Sequence, residues 1–357
     1  MKKRTRASQK RLNNLLLILL LSAVLLIMST YAWFTANRTV NVDSIDLHVT
    51  TSSGLQISAN GKDWKTVLDY QDIKDAYKEY GTVVNQLPAN LAPTSSALEL
   101  DATGKLKMFY GSVSTDLTPG SATYGKYLLT TSLQTDDNTF SANGNKNDDG
   151  EYGAGYYFAF DLFLKDTAGA DNLYMSGDVQ EDTTKTQGKG LENAARIALI
   201  KGASTEDADT PTVVQGLTTV GGEVSMWEPN SDAHTEKGIQ NGVDLGWVQA
   251  GTLNSTGNAP ISYAGTNTEV TNVELSTAKA PTAGFTAMTP TWTTNKGDTV
   301  DLQLKSGLDK GATKYRVYMW IEGQDIDCQN YASGTYLIYN LSFSLDSYTG
   351  NPTAPNN

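Results

Sequence analysis

The stretch YYFAFDLFLK, Tyr156–Lys165, decides the fold class. Successive side chains of an extended chain point to opposite faces, so Tyr156, Phe158, Phe160, Leu162 and Leu164 fall on one side. Asp161 and Lys165 fall on the other, beside Tyr157, Ala159 and Phe163. This predicts a central strand. The alternation returns in Lys314–Glu322, where Tyr315, Val317, Met319 and Ile321 oppose Arg316, Tyr318, Trp320 and Glu322. In Tyr336–Leu345 the residues Leu337, Tyr339, Leu341, Phe343 and Leu345 face one way, and Asn340, Ser342 and Ser344 the other. Ala194–Ile200 and Val40–Val49 predict further strands, the latter with a break in phase at Asp43–Ser44. Phe158, Phe160, Leu162, Val317, Leu341 and Phe343 form the expected core.

The surrounding composition agrees. The chain has 357 residues, with 44 Thr and 32 Gly, as expected for many strands joined by turns. One segment departs from the pattern. Between Trp64 and Tyr80 the apolar residues Trp64, Val67, Leu68, Ile73, Ala76, Tyr77 and Tyr80 recur at helical spacing, which predicts one amphipathic helix packed on a sheet. Residues 202–300 are polar, with thirteen Thr after residue 250, and predict a loop-rich insertion with short exposed strands. Residues 348–357 predict a flexible tail. No linker divides 33–347, so the expectation is one elaborated β-sandwich, mainly β.

The charge is divided. There are 27 Lys+Arg against 39 Asp+Glu, a net −12, yet residues 1–32 hold six bases and no acid. The remainder therefore carries 21 bases against 39 acids, a charge of −18. Such a body repels phosphate backbones, which argues against a nucleic-acid partner. Behind the bases, Leu15–Met28 is a nearly unbroken apolar run, followed by Ser29, Thr30, Tyr31 and Ala32. A positive start, an apolar centre and small residues at Thr30 and Ala32 predict an export signal helix, cut between Ala32 and Trp33 by a signal peptidase. Read instead to Phe34, the run is long enough for a retained anchor, which would be the only contact with the membrane. Either reading places the body outside the cell, extracellular or at its surface.

Few parts for catalysis are present. One cysteine and two histidines exclude a disulfide framework and a Cys/His zinc site. No nucleophile elbow, zinc helix or phosphate-binding loop occurs. Cys328 lies among Glu322, Asp325 and Asp327, and neighbouring acids raise a thiol pKa, the opposite of what a nucleophile needs. In the segment NGNKNDDGE, Asn145, Asn147, Asp149 and Gly150 match the first half of a calcium loop, but Tyr156 stands where the bidentate Glu belongs. Calcium is thus a weak candidate ligand there, and Glu322, Asp325 and Asp327 form a second acidic cluster of the same standing. Otherwise no cofactor is expected. Paired carboxylates would also serve a hydrolase, given a cleft that sets their separation. Trp227, Trp247 and Trp292, in or near loop-rich regions, would serve a carbohydrate- or wall-binding module if exposed.

The segment STYAWFTANRTVNVDSIDLHV, behind a basic, Leu-rich leader, resembles the export region of Gram-positive surface proteins of the TasA/camelysin type. Ala32, Trp33 and Phe34 stand where a dedicated signal peptidase cuts in that family. Thr35 and Ala36 replace the acidic residue usual after the Phe, and the chain is considerably longer. The stretches MWEPNSDAHT and YMWIEGQDIDCQN look like segments recurring in exported proteins of the same bacteria. The resemblance implies a jelly-roll-like sandwich that polymerises into extracellular filaments of a biofilm-type matrix, the N-terminal strand of one subunit completing the sheet of the next. Trp33, Phe34, Val40 and Val42 would form that assembly arm. The expected function is a structural subunit rather than an enzyme, with a surface binding module as the alternative.

Overall fold

A computed structural model describes residues 40–49, 54–83, 85–88, 90–113, 126–132, 156–167, 172–244, 265–266, 273–274, 285–286, 290–298, 301–304, 307–323, 325–328 and 330–345. The leader, Thr30, Ala32, Trp33, Phe34, the loop of Asn145, Asn147 and Asp149, Trp247 and the tail lie outside them. In chain order, β1 (Val40–Val49), β2 (Gln56–Ser58) and β3 (Val67–Leu68) lead into α1 (Tyr70–Asp75). Next come β4 (Asn90–Leu91), β5 (Pro93–Leu100), β6 (Leu106–Val113), β7 (Lys126–Ser132), β8 (Phe158–Asp166) and β9 (Tyr174–Glu181). A 3-10 turn at Leu191–Ala194 opens β10 (Ala195–Thr205), followed by α2 (Pro211–Gln215), β11 (Glu223–Glu228) and α3 (Glu236–Asp244). Short strands β12 (Gly265–Thr266), β13 (Val273–Glu274), β14 (Phe285–Thr286), β15 (Trp292–Thr293) and β16 (Leu302–Gln303) precede the long β17 (Gly311–Glu322) and β18 (Tyr336–Ser344).

The protein is mainly β, in two principal sheets. The first runs β16-β9-β18-β1-β3, with β4 also on β1. β1 lies parallel to β18, and the ladder shifts between Val42 and Ser44, the bulge that the phase break at Asp43–Ser44 predicts. After it the core face passes to Ile45, Leu47 and Val49, while Val40 is buried before it. β9 packs so closely on β18 that a Cβ at Gly177 would lie 2.3 Å from the Asn340 carbonyl oxygen, so only glycine fits there. The second sheet centres on β17, antiparallel to β8 on one side and β10 on the other. β2 extends it beyond β8, and β11 then β15 beyond β10; the end of β17 also pairs with β5, which carries β6, β7 and β13.

One apolar cluster joins the two sheets. Phe158, Phe160, Leu162, Leu164, Tyr315, Val317, Met319 and Ile321 meet Ile45, Leu47, Leu337, Tyr339, Leu341 and Phe343 within it. Burying each large side chain contributes about 1.5–3 kcal/mol. The alternate residues of β8 and β17 are buried too: Tyr157, Ala159, Tyr318 and Trp320 pack with Leu106 and Met108 of β6, and Phe163 packs with Tyr80 and Val214. All of β17 is thus enclosed on both faces. β18 has one face in the core and keeps the clean alternation.

Two expectations change. The helix expected over Trp64–Tyr80 is confined to Tyr70–Asp75 with a 3-10 turn at Ala76–Lys78. Asp69 starts it with a capping box, accepting from Asp72 N (2.8 Å) while Asp72 accepts from Asp69 N (3.3 Å). The preceding Val67 and Leu68 pair with His48 and Leu47 of β1 instead, so the apolar spacing belongs to two elements. The region 202–300 is not all loop and exposed strand: β11 buries Ser225–Glu228, and α2 and α3 are helices outside the one expected.

Candidate functional site

The two sequence stretches singled out above, MWEPNSDAHT and YMWIEGQDIDCQN, meet in space. Their polar residues build a buried cluster with the start of β10. Arg196, fully buried on β10, places its Nη2 2.6 Å from Glu228 Oε1 and 2.8 Å from Asp325 Oδ2. Its Nη1 donates to the carbonyls of Asn193 (3.0 Å) and Ala195 (2.9 Å). Beyond β17 the chain turns tightly: Asp325 N donates to Glu322 O, Cys328 N to Asp325 O, and Asp327 N to Asp325 Oδ1 (2.9 Å). That turn aims both carboxylates inward.

Asp327 is the hub of the second half. Its Oδ2 lies 2.9 Å from His234 Nδ1 and accepts a long 3.4 Å bond from Asn193 Nδ2. Its Oδ1 accepts from Thr235 N (2.9 Å) and Thr235 Oγ1 (2.6 Å). Thr235 in turn caps α3, because its Oγ1 accepts from Gly238 N at 2.9 Å, and the Tyr331 hydroxyl sits 2.5 Å from the same oxygen. Glycine is required on two sides of this contact. A Cβ at Gly238 would lie 2.1 Å from Asp327 Oδ1, and one at Gly190, whose φ is +73°, would lie 2.1 Å from Thr235 Cγ2. At the rim Lys189 donates to the Tyr331 carbonyl and Lys237 lies over the Tyr331 ring.

Burial and neighbours pull the titrating groups in different directions. Burial pushes the Asp325 carboxyl above the usual range, and the charge of Asp327 adds to this against Arg196 and His234. For His234 burial acts downward, but the Asp327 hydrogen bond and the charges of Asp325 and Asp327 outweigh it and raise the imidazole pKa. Burial pushes the Tyr331 phenol up to about 12. A histidine, a carboxylate and a hydroxyl are the parts of an acyl-transfer triad, but here Thr235 Oγ1 bonds Asp327 and α3, not the imidazole.

A second buried cluster lies on the face of β8 and β17 turned away from the main apolar cluster. Asp161 Oδ2 is 2.7 Å from Lys314 Nζ, and its Oδ1 is 2.7 Å from Arg316 Nη1. The Tyr80 hydroxyl lies 3.1 Å from Asp161 Oδ2 and 2.9 Å from the Gln215 carbonyl. Burial acts to raise the Asp161 carboxyl, yet Lys314 and Arg316 prevail and hold it below the ordinary range. Sequence alternation placed Asp161 and Arg316 on the less apolar faces without revealing that those faces are covered.

The sequence-derived candidates fall as follows. Val40 and Val42 belong to β1, which is paired within its own sheet, Val40 with Leu91 of β4 and Val42 with Leu337 of β18. Trp227 is buried, its indole donating to Thr294 Oγ1 at 3.0 Å, while Trp292 is partly buried against the core. Cys328 is buried in the main cluster. His234 stands in the polar stretch NSDAHTEKG; its place beside Asp325 and Asp327 depends on a contact 93 residues away in sequence, and no local pattern announces it. Among the described residues no helix is long and apolar enough to cross a membrane. No family model, curated protein or solved structure matches the chain.

Proposed function

We propose that the chain is an exported structural subunit that assembles by strand exchange into an extracellular filament or biofilm-type matrix. The observation that supports this most is that two tryptophans and three carboxylates of the kind a ligand site would use are buried. Trp227 and Trp320 are buried, so neither presents a sugar-stacking face. The buried carboxylates Asp161, Glu228 and Asp325 are bonded to Lys314, Arg316 and Arg196 rather than set across a cleft. A binding module or a hydrolase would need such groups accessible. Two sheets sharing one apolar cluster are compatible with the jelly-roll-like sandwich that the TasA/camelysin resemblance implies.

β1 narrows the donor. Because Val40–Val49 lies in its own sheet, the donor segment in this reading is Trp33–Thr39, and Val40 and Val42 anchor it. The outer edge of β1 between Asn41, paired with β4, and Leu47, paired with β3, carries no strand among the described residues. Such an edge accepts an added strand through backbone hydrogen bonds. The test is electron microscopy of two purified chains, one beginning at Trp33 and one at Val40. Filaments from the first and folded monomers from the second are expected. Monomers from the first at high concentration, or filaments from the second, would overturn strand exchange by this arm.

A further inference from the structure

We propose that His234, Asp325 and Asp327 form a binding site for one divalent transition-metal cation of the zinc or manganese class. Each offers one ligand atom, and these atoms lie within 4.8 Å of one another, with all three residues buried. Ligands at about 2.0–2.2 Å from a common cation stand roughly 3–4 Å apart, so a small contraction would bring the set to bonding geometry. The 2.9 Å separation of His234 Nδ1 and Asp327 Oδ2 is already in that range.

A second observation points to the same centre. Asn193 is 4% exposed and aims its amide at Asp327, yet the bond is long at 3.4 Å and its Oδ1 has no partner among the described residues. An amide oxygen and nitrogen are interchangeable by rotation of the group, and turned over, Asn193 would present an oxygen to a cation where it now offers a weak donor. Among the described residues His234 Nε2 is likewise buried without a partner. The charge balance agrees. Glu228 and Asp325 share the guanidinium of Arg196, Asp327 lies beside them against His234, all out of water, and buried carboxylates in surplus call for a cation.

The donor set selects the metal. One imidazole with carboxylate and amide oxygens suits zinc or manganese, whereas calcium and magnesium take oxygen ligands alone. The outer contacts resemble those that orient ligands in metal sites: Thr235 fixes Asp327 from the cap of α3, and Arg196 fixes Asp325. The site draws on no part of the assembly arm, so it holds or fails independently of filament formation.

The purified chain, stripped with EDTA and dialysed, is titrated separately with Zn²⁺, Mn²⁺ and Ca²⁺. Thermal unfolding is followed, and bound metal is counted by mass spectrometry after gel filtration. One Zn²⁺ or Mn²⁺ per chain is expected, with a rise in Tm on the order of 5 °C at a hundredfold excess over Kd, and no response to Ca²⁺. His234→Gln should weaken binding at least tenfold, and so should Asn193→Ala, which removes no charge and covers the case in which the histidine variant does not fold. An unmodified chain that retains no metal and shows no shift overturns the proposal. Undiminished binding in both variants, or an equal response to Ca²⁺, does the same.

Discussion

Asp161 and Asp325 are both buried carboxylates that answer to an arginine, and they keep opposite company. Asp161 stands alone between Lys314 and Arg316, each 2.7 Å away, and is held ionised below the ordinary carboxyl range despite its burial. Asp325 shares Arg196 with Glu228 and has Asp327 two residues on, and its carboxyl is raised. Burial is common to both sites and so does not decide the sign; the balance of neighbouring charge does. The first cluster is complete within the fold and ties β8 to β17. The second gathers negative charge from two chain segments around one arginine from a third.

The largest expected effect tests that asymmetry directly. Arg196→Met leaves Glu228 and Asp325 buried without their guanidinium and should cost about 3–5 kcal/mol in urea unfolding. Arg316→Met should cost less, because Lys314 remains on Asp161. A reversed order would break the comparison. Acid titration sharpens it next. A carboxyl held below its unfolded value of about 3.9 contributes stability that is complete above that pH and is lost as the pH falls through the folded value. Stability should therefore drop below about pH 4, with at most about 1.4 kcal/mol per pH unit from Asp161, and Asp161→Asn should flatten that limb. The smallest effect concerns the second cluster's frame. Thr235→Ala removes the cap of α3 together with a bond to Asp327 and should cost about 1–2 kcal/mol by thermal unfolding.

The contrast between the clusters also marks what a sequence can disclose. β18 is legible because one of its faces is buried and the other is not, so Leu337, Tyr339, Leu341 and Phe343 alternate with half-buried residues. The bulge in β1 is legible as a slip in the same rhythm at Asp43–Ser44. β8 and β17 follow that rhythm, yet it misleads about Asp161, Lys314 and Arg316, whose charge reads as solvent-facing. Only the packing of β6, Tyr80 and α2 over that face makes it interior. The segment Trp64–Leu68 fits a helical period by coincidence, and tertiary pairing of Val67–Leu68 with β1 overrides it. Arg196, His234 and Asp327 come from three separate segments. His234 belongs to MWEPNSDAHT and Asp327 to YMWIEGQDIDCQN, while Arg196 lies in neither, and their meeting is set by how β10, β11 and β17 lie side by side.

The parallel pairing of β1 with β18 sets the order in which the molecule can be completed. Asn41 is opposite Tyr336, so the earliest described strand waits for the latest one before their ladder can close. Closing so large a loop is entropically costly, and contacts this distant in sequence slow folding. During synthesis β1 is made ahead of its partner and remains unpaired on that side until β18 follows. The first sheet therefore cannot zip up progressively from its N-terminal end. Its middle strand pair forms last, when the final stretch of chain arrives.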